Sequence, residues 1–299
     1  MRILVTGITG QVGGALLSCL EGTGTILAAD RKILDLTKPL SIPGVLDRLR
    51  PDVIVNPAAY TAVDKAEDER ELATCVNGTA PGVIAHWAAT RAVPLIHFST
   101  DYVFSGLGER AWSEDDEPHP LGVYGATKLA GENAVRAAGG YFLIVRTSWV
   151  YAAHGKNFLR TIGRLARERE ELRIIADQIG APTSAALIAD ALTTIVAGGV
   201  ENLRMWCTQA EGLVHLAASG ETSWHGFACA IVDGLRSRGP QLTVQRVIPI
   251  RSDEYPTRAK RPHNSRLDLK RLQKVFGITP QHWKSALAPE LDRLAQEVL

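Results

Sequence analysis

Four cysteines in 299 residues, Cys19, Cys75, Cys207 and Cys229, fall without a Cys-x-x-Cys pair, which excludes a zinc knuckle and a redox dithiol and leaves free thiols as the expectation. His215, His225 and His263 show no ligand spacing, so no metal is expected at them. No apolar run reaches the roughly 18–20 residues that a bilayer-spanning helix needs. Ile3-Leu4-Val5 before a glycine is far short of a signal-peptide core. A cytoplasmic protein without membrane contact is therefore expected. Charge of neither sign dominates: the formal net charge is +1, and nucleic acid is not an expected partner. Internal repeats and low-complexity tracts are absent. What remains is a chain whose 45% hydrophobic content supplies the core of one large domain or two closely joined ones.

Apolar runs of strand length alternate with helical stretches, the pattern of an α/β parallel sheet wound on both sides. Arg2-Ile3-Leu4-Val5-Thr6 reads as a strand, Gly7-Ile8-Thr9-Gly10-Gln11-Val12-Gly13 as a glycine loop, and Ala15 to Leu20 as a helix. In that setting Gly7, Gly10 and Gly13, with Gln11 and Val12, suit a dinucleotide pyrophosphate held on the free amides of the helix N-terminus. The next strand, Ile26-Leu27-Ala28-Ala29, ends on Asp30, near the interval for an acid on the ribose hydroxyls. Asp30 favours a 2′-hydroxyl, whereas Arg31 and Lys32 suit a 2′-phosphate. Both NADPH and NADH are thus open as cofactors. Asp35-Leu36 is a candidate adenine contact, or simply a turn before the helix at residues 42–50. A third strand, Val53-Ile54-Val55, ends at Ala58-Ala59-Tyr60-Thr61, small residues that leave room for a cofactor. In the charged helical segment that follows, Val63 and Asp64 are the residues expected to face inward.

The strand Val93 to Phe98 delivers Ser99, Thr100 and Asp101 to its C-terminal end, where open parallel sheets bind ligands. A helix from Tyr124 to Ala138 places Tyr124 and Lys128 four residues apart on one face. A tyrosine titrates near 10 when free, and a neighbouring ammonium is expected to lower it by about 1–3 units, toward efficient general acid–base catalysis. The acidic loop 113–118 reads as a solvated surface. Trp149, past the strand Phe142 to Val145, suits a sugar ring or a domain seam. Helices are expected at 158–169 and 184–196, and Leu213 to Leu216 is expected to return to the sheet. The division that follows is a dinucleotide-binding domain at 1–150, with return segments near 185–220, and a mainly substrate-binding part at 151–299. The loop 254–266 gathers Arg258, Lys260, Arg261 and Arg266 near Asn264, a composition that suits a nucleotide diphosphate.

Several strings are too specific to be read singly: Thr6-Gly7-x-x-Gly10-Gln11-Val12-Gly13, Ser99-Thr100-Asp101-Tyr102-Val103-Phe104, Tyr124-Gly125-x-Thr127-Lys128, Arg146-Thr147-Ser148-Trp149-Val150-Tyr151, Asp177-Gln178-x-Gly180-Ala181-Pro182-Thr183 and Arg261-Pro262-x-Asn264-Ser265. On these residues the chain resembles the extended short-chain dehydrogenase/reductases, with a Rossmann-type doubly wound sheet, and among them the dTDP-4-dehydrorhamnose reductase family. The resemblance covers nearly the whole chain. It implies reduction of the C4 ketone of a dTDP-sugar, with Tyr124 as proton donor, Lys128 on the nicotinamide ribose, and Thr100 on the ketone oxygen or on Tyr124. It further implies Ser99 at the cofactor, and Val63, Asp64, Asp101, Trp149, Arg261 and Asn264 at the sugar nucleotide. Some members of the family bind magnesium at a dimer interface through carboxylates. The aligned positions here are Ala15, Ala186 and Arg293, so no such metal site is expected, and the chain is expected to be a monomer or a weak homodimer. A dehydratase of the superfamily follows its threonine with Asp-Glu, whereas Asp101 is followed by Tyr102. A reductase of another 4-keto-6-deoxy sugar nucleotide, an epimerase and a non-catalytic NADP-binding regulatory subunit are the other readings.

Overall fold

Short aliphatic runs without polar interruption become the strands of one parallel sheet. In the computed structural model, which describes residues 1–239 and 241–298, these are β1 (Arg2–Thr6), β2 (Thr25–Ala29), β3 (Val53–Asn56), β4 (Leu95–Thr100), β5 (Phe142–Thr147) and β6 (Leu213–His215). Pro240 and Leu299, both in the part expected to bind substrate, lie outside the described residues. The strand order is β6-β5-β4-β3-β1-β2, all parallel. The order reverses between β1 and β3, which opens the ligand crevice of a doubly wound sheet above their C-terminal ends. Every residue of β3 and β4 is buried. Their side chains alternate between two apolar layers: Ile3, Val5, Val55, Ile96 and Val145 face one, and Leu4, Ile54, Leu95 and Ile144 face the other. That is the period of two expected of a strand covered on both faces.

Helix Val123–Ala138 packs on helix Ala80–Ala89 through small residues. A Cβ added at Gly131 would meet the Asn77 carbonyl oxygen at 2.1 Å, and one at Gly82 would meet the Ala134 Cβ at 2.9 Å. A wide turn at Cys75–Thr79, with π-type bonding, leads into the regular helix Ala80–Ala89. Such bulges are frequent at functional sites.

Beyond β5 the chain leaves the sheet and then returns. Ser184 caps helix Ala185–Ala197 by accepting from the Leu187 amide, and this helix packs on Gln11–Cys19. β6 then adds to the outer edge of β5. The rest is built on helices Phe158–Glu168, Trp224–Arg236 and Trp283–Val298 and on three two-stranded ribbons. One apolar core runs unbroken from Val5 and Phe98 on the sheet to Phe227, Leu235, Leu291 and Leu294 among these helices. No single helix among the described residues is long and apolar enough to cross a membrane.

In an exposed helix, replacing glycine with alanine stabilises by about 1 kcal/mol. At Gly131 the opposite is expected, because the new methyl must displace backbone: Gly131→Ala should lower stability by about 1–3 kcal/mol, read as a fall in the urea midpoint.

Candidate active site

The crevice is floored by the glycine loop. Gly7 has φ +58°, and a Cβ there would lie 2.9 Å from the Ala58 Cα, so only glycine lets the loops after β1 and β3 approach this closely. Gly13 is packed against the Gly7 carbonyl, where a Cβ would sit 2.3 Å from its oxygen. Helix Gln11–Cys19 starts from Gly10 with no side-chain cap and no acid in its first turn. Its first amides and positive dipole end are left for an anion. This cradle, too tight for any side chain at Gly7 or Gly13, fits a dinucleotide. Gln11 is held by the Asn157 amide at 2.8 Å, and Val12 packs at the edge of the core.

At the end of β2 the Asp30 carboxylate is folded under its own turn and accepts from the amides of Lys32 at 2.9 Å and Ile33 at 3.1 Å. Arg31 is mostly exposed, 3.3 Å from Asp35, whose carboxylate also takes the amide and hydroxyl of Thr37. Leu36 is buried in the apolar core beside this turn. Ala58, Ala59, Tyr60 and Thr61 form the rim after β3, and Asn77 fixes it. The Asn77 side chain accepts from the Tyr60 amide at 2.8 Å and donates to the Tyr60 carbonyl at 3.0 Å and to Thr127 Oγ1 at 3.1 Å. Asn77 therefore ties the rim to the helix that carries Tyr124 and Lys128. Beneath it, Thr6 donates to Asn56 at 2.6 Å, and the Asn56 amide lies 3.1 Å from His97 Nδ1. The amide can only donate, so Nδ1 accepts and the imidazole is neutral. Burial, with Lys128 nearby, holds its pKa well below the usual range.

Tyr124, Lys128 and Glu132 line one face of their helix, four residues apart. Glu132 is buried and binds Arg146 of β5 through two contacts, Nε to Oε1 at 2.8 Å and Nη2 to Oε2 at 2.6 Å. It also accepts from the Ser99 hydroxyl at 2.5 Å. Ser99, expected at the cofactor, thus spends its hydroxyl on the network beneath the site. Lys128 Nζ donates to the Phe98 carbonyl at 2.6 Å, and burial brings its pKa down to about 8. Thr100 Oγ1 donates to Asp101 Oδ1 at 3.1 Å and accepts from the Tyr102 amide at 3.2 Å. Burial and then the Asp101 charge push Tyr124 up to about 12, partly offset by Thr100. The expected lowering by Lys128 is not found in this arrangement, because the ammonium is turned to the Phe98 carbonyl while the carboxylate stands near the phenol. Asp101 itself is raised by burial to about 6, against hydrogen bonds from Ser265 and Thr100.

On the substrate side Val63 and Asp64 are half-buried, and Asp64 binds Arg261 at 2.6 Å and the Ala259 amide at 3.1 Å. Arg258 pairs with Asp68, and Arg266 pairs with Glu221 at 2.5 Å. The arginines expected to meet a diphosphate are therefore all engaged with carboxylates. Asn264 is buried, donating to the Arg110 carbonyl at 2.7 Å and accepting from the Arg266 amide at 3.2 Å. It braces the loop. Trp149 has φ +50° and stacks on Trp224 with centroids 3.6 Å apart. Gly180 makes room for its ring, since a Cβ there would come within 2.7 Å of the indole. The acidic loop is not simply solvated: Glu114 is buried and accepts from the His215 amide at 2.9 Å, while Asp116 pairs with Arg110 at 2.6 Å.

Among the described residues no group of three or more His, Cys, Asp or Glu is placed to hold a metal ion. Ala15 and Ala186 sit on the two helices that pack together beside the glycine loop, and Arg293 pairs with Glu290 at 2.8 Å.

Removing one partner of a buried ion pair strands the other charge. Arg146→Met is accordingly expected to cost about 3–5 kcal/mol in urea unfolding, and adding Glu132→Leu should recover much of the loss.

The family described as the RmlD substrate binding domain matches residues 1–296. The dTDP-4-dehydrorhamnose reductase of Burkholderia thailandensis is 46% identical over 291 residues, covering 96% of this chain and 97% of that one. The crystal structure of a dTDP-4-dehydrorhamnose reductase from Clostridium acetobutylicum superposes with a TM-score of 0.89 at 34% identity, covering 98% of this chain and 99% of that one. A Bacillus anthracis dTDP-4-dehydrorhamnose reductase, solved in complex with NADP, superposes with a TM-score of 0.85 at 33% identity over 99% of both chains. Matched from end to end by the domain model and by relatives at this identity, the chain belongs to the RmlD family, that of the dTDP-4-dehydrorhamnose reductases.

Proposed function

We propose that this chain is an NAD(P)H-dependent reductase that converts dTDP-4-dehydro-L-rhamnose to dTDP-L-rhamnose, working as a monomer or weak homodimer. The observation that carries the reading is the convergence of Thr100, Tyr124 and Lys128 at the strand ends beside the glycine cradle, in a chain whose relatives bear that name. The amides of Gly10 to Gly13 would hold the pyrophosphate. Arg31 and Lys32, exposed at the end of β2 where Asp30 is turned into its own loop, would accept a 2′-phosphate, in keeping with the NADP found in the Bacillus anthracis relative. Lys128 would hold the nicotinamide ribose.

When bound, the reduced nicotinamide supplies the hydride that C4 of the sugar receives. The protein's task is to meet the charge that appears on the ketone oxygen. Tyr124, held protonated by its surroundings, is loaded to give a proton to that oxygen, which is the stronger base as it becomes an alkoxide. Thr100 orients the phenol, and Asp101, Val63, Asp64 and Trp149 are the nearest candidates to grip the sugar, with Arg261 and Asn264 shaping the loop above it. The Asp64–Arg261 pair would need to open if the guanidinium is to take a phosphate.

Loss of reduced-nicotinamide absorbance on adding dTDP-4-dehydro-L-rhamnose tests this directly. The wild type should oxidise NADPH or NADH, and Tyr124→Phe should lose about 10²–10⁴-fold in kcat while still binding NADPH. A wild type that binds NADPH but leaves it intact with this sugar would sink the reading.

A further inference from the structure

Past the short strand Val150–Tyr151, residues 152–157 reach the first turn of the glycine-loop helix. They are pinned from the substrate-binding part: the Ala153 amide donates to the buried carboxylate of Glu290 at 2.6 Å, and Arg160 donates to the Ala153 carbonyl. His154, Gly155 and Lys156 are exposed. A Cβ added at Gly155, whose φ is +75°, would stand 3.6 Å from Gln11 Cγ, and one at Gly14 would stand 3.6 Å from His154 Nε2. Residues 11 and 14 share a helix face, so the segment lies as a strap along the turn whose amides face the cofactor cradle.

Asn157 fastens the strap. Its Oδ1 accepts from the Arg160 amide at 3.1 Å and so caps helix Phe158–Glu168. Its Nδ2 donates to the Ala152 carbonyl at 2.8 Å, the His154 carbonyl at 2.9 Å and Gln11 Oε1 at 2.8 Å. These partners leave no choice of orientation. A backbone amide only donates and a backbone carbonyl only accepts, so Asn157 must turn its oxygen to the helix and its nitrogen to the strap. The Gln11 atom facing that nitrogen must in turn be an acceptor, the carboxamide oxygen. Gln11 Nε2 is thereby the free end. It has no partner among the described residues, and its half-buried side chain stands at the first position of a helix whose amides lack a side-chain cap.

We infer that Asn157 is a positioning residue for the cofactor, holding the Gln11 carboxamide with its oxygen on the strap and its Nε2 donating to the dinucleotide pyrophosphate. The inference deepens the cofactor reading and rests on it. Gln11 thus adds a side-chain donor to the backbone amides of the cradle, and hydrogen bonds to a charged oxygen are the stronger kind. The clasp also prevents a conflict. Released from Asn157, the Gln11 oxygen would be free to fold onto the uncapped first-turn amides and compete with the anion for them. The donor is therefore set by a residue 146 positions along the chain, on a strap that hangs from Glu290 of the last helix.

The test is a double-mutant cycle on NADPH affinity, read from the fluorescence of the reduced nicotinamide, with Gln11→Met and Asn157→Ser. Methionine keeps the length of the side chain and removes both polar ends. Serine keeps an N-cap acceptor for the Arg160 amide and removes the donor to Gln11. Each single variant should bind NADPH about tenfold more weakly. In the Gln11→Met background, Asn157→Ser should change the affinity by less than about twofold, because no carboxamide remains to be placed. Losses that multiply in the double variant would make Asn157 a structural residue only and overturn the inference, as would an Asn157→Ser protein that binds NADPH like the wild type. Should Asn157→Ser fail to fold, Asn157→Asp, which keeps the cap and the volume, replaces it in the cycle, and a loss that persists undiminished in Gln11→Met counts against the clasp. A wild type that does not bind NADPH fails earlier, at the cofactor reading itself.

Discussion

A single carboxylate holds the catalytic end of the sheet together. Glu132 reaches from its helix into the space between β4 and β5, takes the Arg146 guanidinium in a two-point grip and receives the Ser99 hydroxyl. Arg146 also lies over the face of Phe104, 4.9 Å from its centre. Buried charges persist only when paired and hydrogen-bonded, so this cluster admits few alternative registers. It fixes the height of the helix against the strand ends, and with it the places of Lys128 and Tyr124, one and two turns nearer the crevice. The close backbone approach at Gly131 then holds the same helix on Asn77, which fixes the rim.

Much of this was legible from residues alone. The glycine spacing, the strand before it and the helix after it define the cradle, because no side chain fits where Gly7 meets Ala58. The alternation of apolar runs yields the sheet, since a strand buried on both faces has no polar period to show. The helices expected at 124–138, 158–169 and 184–196 are observed within a residue or two of those limits. Glu132 and Arg146 also left a trace: an acid one turn beyond Lys128, and a lone arginine in an apolar strand.

The remainder depends on contacts between distant segments. Nothing local says that the arginines of the loop 254–266 are matched by Asp64, Asp68 and Glu221, or that Leu36 faces inward. Asn77 reads as an ordinary helix residue until the wide turn places it against Tyr60 and Thr127. Trp149 stacks on Trp224 and sits over Gly180, partners far along the chain that its own strand end does not announce. The electrostatics of Tyr124 went unread because the spacing of two residues on a helix does not say where an ammonium points.

The sheet is completed late. β6 is encoded some seventy residues after β5, whose edge it covers, and the helix that covers the other side of the glycine-loop helix lies between them. A chain emerging from the ribosome therefore passes through an interval in which β5 presents an open edge and the cofactor cradle has only part of its backing. Unpaired edges of this kind invite pairing with other chains. Synthesis of the second half is in this sense an act of protection for the first, and the order in which the segments are translated bears on the yield of folded protein as much as on its architecture.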